Sequence, residues 1–360
     1  MKYKLFVIII TSFLFSGCTN SSTSDNPATN KTSITSTTFT GNKARLIGRF
    51  DTTIKGEAKF TWPGSAIEFR FDGSQASIGI ASQGKTRFVL DVDGQTKDFW
   101  TETGSQTYLL ASDLKNGVHT IRLTRVNEST AGVTSFISDP QTDGKLLTPP
   151  AAPDKKLLVI GDSITAGYGV EGPDQSCHYT LDTSNQQLTY AALAANALGA
   201  DLHAIAWSGI GAWRSYAEKT PIKPSIIVRH TRTLADEPDS QWNPSLYQPD
   251  AIIINIGTND YWEGSVSDAY QHAMATLIAQ IQNDYANKPI YLIVSPMLEN
   301  KVRLVQKQVL QSLAKDTVKV LDLGENNGAE GFGCDYHPNL KNQTRLGKVL
   351  ETNLKKDLHW

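Results

Sequence analysis

Ser163 and His337 are the pair of side chains in this sequence best suited to chemistry. A serine hydroxyl is a weak nucleophile until a base takes its proton. An imidazole, with an ordinary pKa near neutrality, can take that proton and later deliver it to a leaving alcohol. Two further segments, Ser208-Gly209 and Gly257-Thr258-Asn259-Asp260, carry donors. The backbone N–H of Ser163, the backbone N–H of Gly209 and the side-chain amide of Asn259 can hold the oxyanion that forms when serine attacks a carbonyl. Losing one such donor typically costs about a hundred- to thousand-fold in rate. A nucleophile, a base and an oxyanion hole together point to acyl transfer.

These residues must be brought together, and the surrounding pattern shows how. The apolar run Leu157-Leu158-Val159-Ile160 ends in Gly161-Asp162-Ser163 and reads as a buried parallel strand. Similar runs occur at 202–206, 251–256, 290–294 and 318–323. Tyr270, Met274, Leu277, Ile278, Ile281 and Tyr285 are spaced by three and four, as on one helix face. Leu340 through Leu354 closes the chain as another amphipathic helix. Alternating strands and helices predict a parallel sheet covered on both faces. Parallel strands bring their carboxyl ends to one edge, where open α/β sheets carry ligands. Three of the four segments follow strands directly. Asp335-Tyr336-His337-Pro338, just before the last helix, can face the same edge.

Residues 39–147 follow a different rule. Ile67-Phe69-Phe71, Ile78-Ile80, Phe88-Leu90-Val92 and His119-Ile121-Leu123 alternate with period two. Asp72-Gly73, Asp93-Gly94 and Asn116-Gly117 read as the turns between them. A β-sandwich of jelly-roll type is expected. Trp62 and Trp100 are read as core rather than as a sugar-stacking face. Residues 148–154, with Pro149, Pro150 and Pro153, form a short stiff linker to the domain at 155–360.

The amino terminus reads as a targeting segment. Lys2 and Lys4 precede an apolar stretch from Leu5 to Phe15, and Ser16-Gly17 lead into Cys18. Residues 1–17 are a signal peptide in this reading. Phe15-Ser16-Gly17-Cys18 resembles a bacterial lipobox, which implies cleavage before Cys18 and its lipidation. The chain would then be exported and anchored to a bacterial membrane, facing the periplasm or the cell surface. Residues 18–38, rich in Ser, Thr and Asn, are a flexible tether.

The 34 Lys and Arg residues against 36 Asp and Glu leave a net charge of −2. A nucleic-acid binder would carry a basic patch, so that class is set aside. With Cys18 explained, Cys177 and Cys334 remain. One follows the Gly-Asp-Ser segment and the other precedes His337, so a disulfide between them after export is one of two open readings. Two unpaired buried thiols are the alternative. No histidine or cysteine spacing suggests a metal site, and no cofactor is expected. A monomer is expected.

The four blocks carried by Ser163, Gly209, Asn259 and His337 resemble, in order and spacing, those of the SGNH (GDSL-type) hydrolases. That resemblance implies a three-layer α/β/α domain. A jelly roll joined directly to such a domain is the layout of carbohydrate esterase family two. Gly48-Arg49-Phe50-Asp51, Trp62-Pro63-Gly64-Ser65, Gly117-Val118-His119, the stretch from Gly161 to Gly169, Cys177-His178-Tyr179, Gln248-Pro249-Asp250 and Gly257-Thr258-Asn259-Asp260-Tyr261 are similar to that family. The resemblance implies removal of acetyl groups from xylan, glucomannan or related sugars. The wider family places its triad acid three residues before the histidine, where this chain has Cys334. Asp335, two before, is the nearest acid. Dyads in which a backbone carbonyl orients the histidine are known in family two, so Asp335 and a carbonyl both stand as the third member.

Other residues have plainer readings. Asp162 and Asp260 fix the backbone of their loops. His178 is structural. Tyr261 and Trp262, with Trp213, are read as a sugar-facing wall. Residues 234–244 read as a surface loop that could rim the cleft. Two alternatives to the polysaccharide acetylesterase stand: a surface glycan-binding protein with a decayed hydrolase domain, and an esterase acting on another acetyl ester such as peptidoglycan.

Overall fold

The computed structural model describes residues 38–264 and 266–360. The expected signal peptide, Cys18 and the expected tether up to residue 37 lie outside the described residues. The described residues form one compact unit.

The amino-terminal half of that unit is a pair of antiparallel sheets. One runs in the order Arg45–Ile47, Ala66–Gly73, Gly117–Arg125, Thr86–Val92, Gln95–Thr101, with Lys145–Leu146 also against Ala66–Gly73. The other runs Gln141–Thr142, Ala76–Ser82, Thr134–Phe136, Ala58–Phe60, with Gly104–Ala111 also against Ala76–Ser82. Period-two alternation sends Ile67, Phe69, Phe71, Phe88, Leu90, Ile121 and Leu123 of the first sheet inward. They meet Phe60, Ile78, Ile80 and Phe136 of the second in a shared core. Each large side chain buried there contributes about 1.5–3 kcal/mol.

Asp93-Gly94 is a two-residue hairpin loop between paired Val92 and Gln95, with φ of 53° and 85°. Positive φ at both positions is what a type I′ turn needs. Asp72-Gly73 differs from its sequence reading: both residues still pair, with Val118 and Gly117. The reversal comes after them, because the Asp143 carboxylate accepts from the N–H groups of Ser74 and Gln75 and lets the strand run on.

The carboxyl-terminal half is a parallel sheet in the order Asp201–Ala206, Lys156–Gly161, Ala251–Asn255, Ile290–Ile293, Val318–Leu321. Leu158, Ile160, Ile252, Ile254, Ile290 and Leu292 face the helices Ser267–Asp284 and Asn300–Leu313. Leu157, Val159, Ile253, Tyr291 and Ile293 face Tyr190–Leu198 and Leu340–Asp357. Burial on both faces explains why these strands read as continuous apolar runs.

The two halves interlock. Trp62 leaves the sandwich for the core of the parallel-sheet half, and its Nε1–H donates to the Arg232 carbonyl at 3.3 Å. Buried Arg49 donates to the carbonyls of His230 and Arg232. Arg45 pairs with Asp201 at 2.6 Å. The stretch 234–244 is only partly the surface loop expected. Leu234 and Ala235 are buried, and Ala235 N–H donates to Thr61 Oγ1 at 2.8 Å. The polar residues that follow them hid this anchor in the sequence.

Candidate active site

Three strand ends lie side by side: Gly161 is in register with Ala206 and with Asn255. The residues after each therefore emerge at one edge. At Gly161 a Cβ would lie 2.0 Å from Thr165 Oγ1, so only glycine lets the chain turn there. Asp162 caps the turn Ser163–Ala166 by accepting from Ile164 N–H at 3.0 Å. Burial pushes the Asp162 carboxyl up to about 7, against that hydrogen bond. Its second oxygen has no hydrogen-bond partner, so a protonated Asp162 still caps the turn.

Ser163 is buried, and its Oγ lies 2.8 Å from His337 Nε2. His337 Nδ1 lies 3.1 Å from the Cys334 carbonyl and 3.1 Å from the Asp335 carbonyl. Both are acceptors only, so Nδ1 carries the proton and the Nε2 lone pair faces the serine. The Tyr168 ring stacks on the imidazole, with centroids 4.1 Å apart.

Asp335 does not supply its carboxylate to His337. Its oxygens take the Tyr168 hydroxyl at 2.6 Å and lie 2.7 Å from His178 Nδ1. The reason is local backbone: Asp335 and Tyr336 have φ of 51° and 62°. This left-handed turn presents the carbonyls to the imidazole and swings the carboxylate away. Two successive non-glycine residues in that region are strained and persist only where the surroundings hold them. Here Cys334 N–H donates to Gly169, Asp335 N–H to Cys177 and Gly333 N–H to His337. Cys177 and Cys334 are joined in a disulfide, with S–S 2.12 Å.

Two predictions arise from this geometry. Asp335→Ala is expected to lower kcat on an aryl acetate by no more than about tenfold, the scale of one hydrogen bond. Neutralising a true triad carboxylate would cost about 10⁴-fold. Losses equal to those of His337→Ala would sink the carbonyl-held arrangement. The second concerns pH. Burial pulls the His337 imidazole down to about 4, opposed by the two carbonyls and the Asp335 charge. The neutral imidazole is the working base, so lowering its pKa extends activity toward acid. The acid limb of kcat/KM, which reports the free enzyme, is expected well below pH 6.5. A half-point at or above 6.5 in a pH–rate profile would contradict it.

Asn259 is buried and its Nδ2 donates to the Ile210 carbonyl at 2.8 Å. That bond orients the amide and uses one of its two N–H groups. Gly209, with φ of 81°, turns the chain just before Ile210. Among the described residues the N–H groups of Ser163 and Gly209 have no protein acceptor. Asp260 ties the blocks together: its carboxylate accepts from the N–H groups of Ala212, Trp213 and Arg214. Burial nevertheless pushes it up to about 6. A hydroxyl facing a neutral imidazole, with N–H donors beside it, is an arrangement that can attack a carbonyl.

Residues 46–150 match the family described as Carbohydrate esterase 2 N-terminal, and residues 159–343 match the GDSL-like Lipase/Acylhydrolase family. A family two carbohydrate esterase from Clostridium thermocellum, solved in complex with cellohexaose, has 30% sequence identity and a TM-score of 0.84. The match covers 88% of this chain and 99% of that one. Cellulase/esterase CelE of Acetivibrio thermocellus is 32% identical over 323 residues; the match takes in 87% of this chain and 39% of CelE. An acetylxylan esterase / glucomannan deacetylase of Cellvibrio japonicus is 26% identical over 313 residues, with 82% and 84% covered. The chain belongs to carbohydrate esterase family two. Its GDSL-like acylhydrolase domain places it among the carboxylic ester hydrolases.

In this family two member the expected sugar-facing wall divides. Trp262 is exposed, but Tyr261 is buried against Tyr270 and Trp213 packs half-buried on the parallel-sheet core. The chain turn after Asn259 points adjacent side chains opposite ways. Trp262 instead meets Tyr216, also exposed, at 4.7 Å between ring centroids. Tyr216 N–H donates to the Gly209 carbonyl at 2.7 Å, which puts this aromatic pair beside the oxyanion segment. His178 is largely exposed and holds Asp335. Among the described residues no group of three or more His, Cys, Asp and Glu side chains could hold a metal ion, and no helix is long and apolar enough to cross a membrane. Sequence reasoning missed Tyr168 and Tyr216, since a tyrosine in a loop carries no signal of what it stacks on.

Proposed function

We propose that this family two member is a serine esterase that removes O-acetyl groups from polysaccharides or oligosaccharides of the acetyl xylan and glucomannan type. The observation that carries this reading is the 2.8 Å contact between Ser163 Oγ and an imidazole whose far nitrogen is held by two carbonyls. Ser163 attacks the acetyl carbonyl carbon while His337 takes its proton. The N–H groups of Ser163 and Gly209 and the Asn259 amide receive the oxyanion. His337 then protonates the sugar oxygen as its bond to the acetyl carbon breaks, so the sugar leaves as a free hydroxyl and the acetyl group remains on Ser163. Water, deprotonated by His337, releases acetate and restores the serine. The relatives' activities and the exposed Trp262 and Tyr216 rings support a sugar as the leaving alcohol, since flat rings stack on the apolar faces of pyranoses. The sequence supports export and anchoring through Cys18, and we take the enzyme to act as a monomer.

Acetate release from acetylated glucomannan and acetylated xylan tests the reading. Release from at least one polymer is expected, and the preferred one names the substrate. Cleavage of an aryl acetate with neither polymer touched would move the enzyme to another acetyl ester. No activity on any ester would favour the glycan-binding alternative.

A further inference from the structure

Glu128 belongs to the sandwich half and lies within the segment matched as Carbohydrate esterase 2 N-terminal. It sits just after the strand Gly117–Arg125 and is 2% exposed. Its carboxylate crosses to the other half, where Oε2 accepts from Ser208 N–H at 2.7 Å and Oε1 from Ser208 Oγ–H at 2.6 Å. Burying a carboxylate is unfavourable unless its oxygens are well satisfied. Both oxygens here serve one residue, the one immediately before Gly209.

The base of this clamp is itself rigid. Fully buried Arg125 donates to the Glu128 carbonyl at 2.8 Å, to the Asn127 carbonyl at 2.9 Å and to the Gly132 carbonyl at 2.8 Å. Asn127 donates to the Leu181 carbonyl at 3.0 Å. On the far side of the turn, Tyr216 N–H holds the Gly209 carbonyl and Asn259 holds that of Ile210. A Cβ at Gly209 would touch Tyr216 Cβ, at 3.7 Å, and nothing nearer. Hydrogen bonds therefore hold this segment on both sides of Gly209: on its entering side Trp207 N–H donates to the Gly161 carbonyl, and Glu128 holds Ser208, the residue next to Gly209.

We propose that Glu128 is a positioning residue of the oxyanion hole, so that the sandwich half sets the direction of the Gly209 N–H. The inference rests on the esterase reading above. Bonding to both the N–H and the side chain of Ser208 fixes that residue's orientation, and with it the peptide plane that carries the next N–H. An oxyanion donor contributes only if it is aimed before charge develops. Loosening it lowers kcat and leaves substrate binding, which forms before the oxyanion, nearly unchanged.

The test uses the full chain and an aryl acetate, with Glu128→Ala, Glu128→Gln, Ser208→Ala and Ser163→Ala. Glu128→Ala is expected to lower kcat by about 10- to 100-fold, with KM within about twofold. It should weaken a boronic acid that forms a tetrahedral adduct on Ser163 by a similar factor. Glu128→Gln keeps an acceptor for Ser208 N–H, and Ser208→Ala keeps the backbone bond. Each is expected to lose about three- to tenfold in kcat, the effect of one hydrogen bond. These two variants decide the matter if Glu128→Ala fails to fold. An unchanged kcat in both overturns the proposal, as does a loss confined to KM. Full activity in Ser163→Ala would instead topple the esterase reading. Ser163 essential with Glu128 neutral would topple only this inference.

Discussion

Ser163→Ala, His337→Ala and the double variant are expected to fall to the same residual kcat, roughly 10⁴- to 10⁶-fold below the parent. The two side chains act as one unit. Oγ without a base is a poor nucleophile, and the imidazole without Oγ has no proton to take. Their 2.8 Å contact is set by two elements far apart in sequence, the capped turn at Ser163 and the strained turn at Cys334–Tyr336. Steady-state rates of aryl acetate hydrolysis for the three variants check this. Losses that multiply in the double variant would show that the residues contribute independently, and the proton-relay account would fall. KM is expected to stay close to the parent value, since neither side chain holds the sugar.

Asn259→Ala is expected to cost about 10²- to 10³-fold in kcat. The side chain offers one committed N–H and one uncommitted N–H, and the committed one holds the Ile210 carbonyl. Removing it deletes a donor to the oxyanion and loosens the segment that carries Gly209. The effect should appear in kcat more than in KM, because the oxyanion exists only at and near the transition state. A drop smaller than about tenfold in kcat would remove Asn259 from the oxyanion hole. Thermal unfolding of the same variant separates that loss from a general weakening of the fold.

Much of the architecture was legible because one-dimensional periodicity reports burial. Period-two alternation announced the sandwich, and continuous apolar runs announced strands covered on both faces. Ser163, Gly209 and Asn259 could be placed at one edge because each follows a strand by two to four residues, and parallel strands all end the same way. At the site, what the sequence left open or misplaced was the direction of a side chain. Tyr261 and Trp262 are neighbours with opposite fates, and polarity alone does not distinguish them. Asp335 was a candidate acid by spacing. Two consecutive left-handed residues turned its carboxylate to Tyr168 and His178.

The order of the blocks, the types of their residues and the strands before them follow from the sequence by itself, because they depend on local patterning. Tertiary structure alone decided which atoms face His337 Nδ1, which ring stacks on the imidazole, and that a glutamate of the sandwich reaches Ser208. Those outcomes depend on hydrogen bonds between residues far apart in the chain. Such a bond leaves no periodic trace, since one donor and one acceptor meeting across a fold impose no pattern on the residues between them.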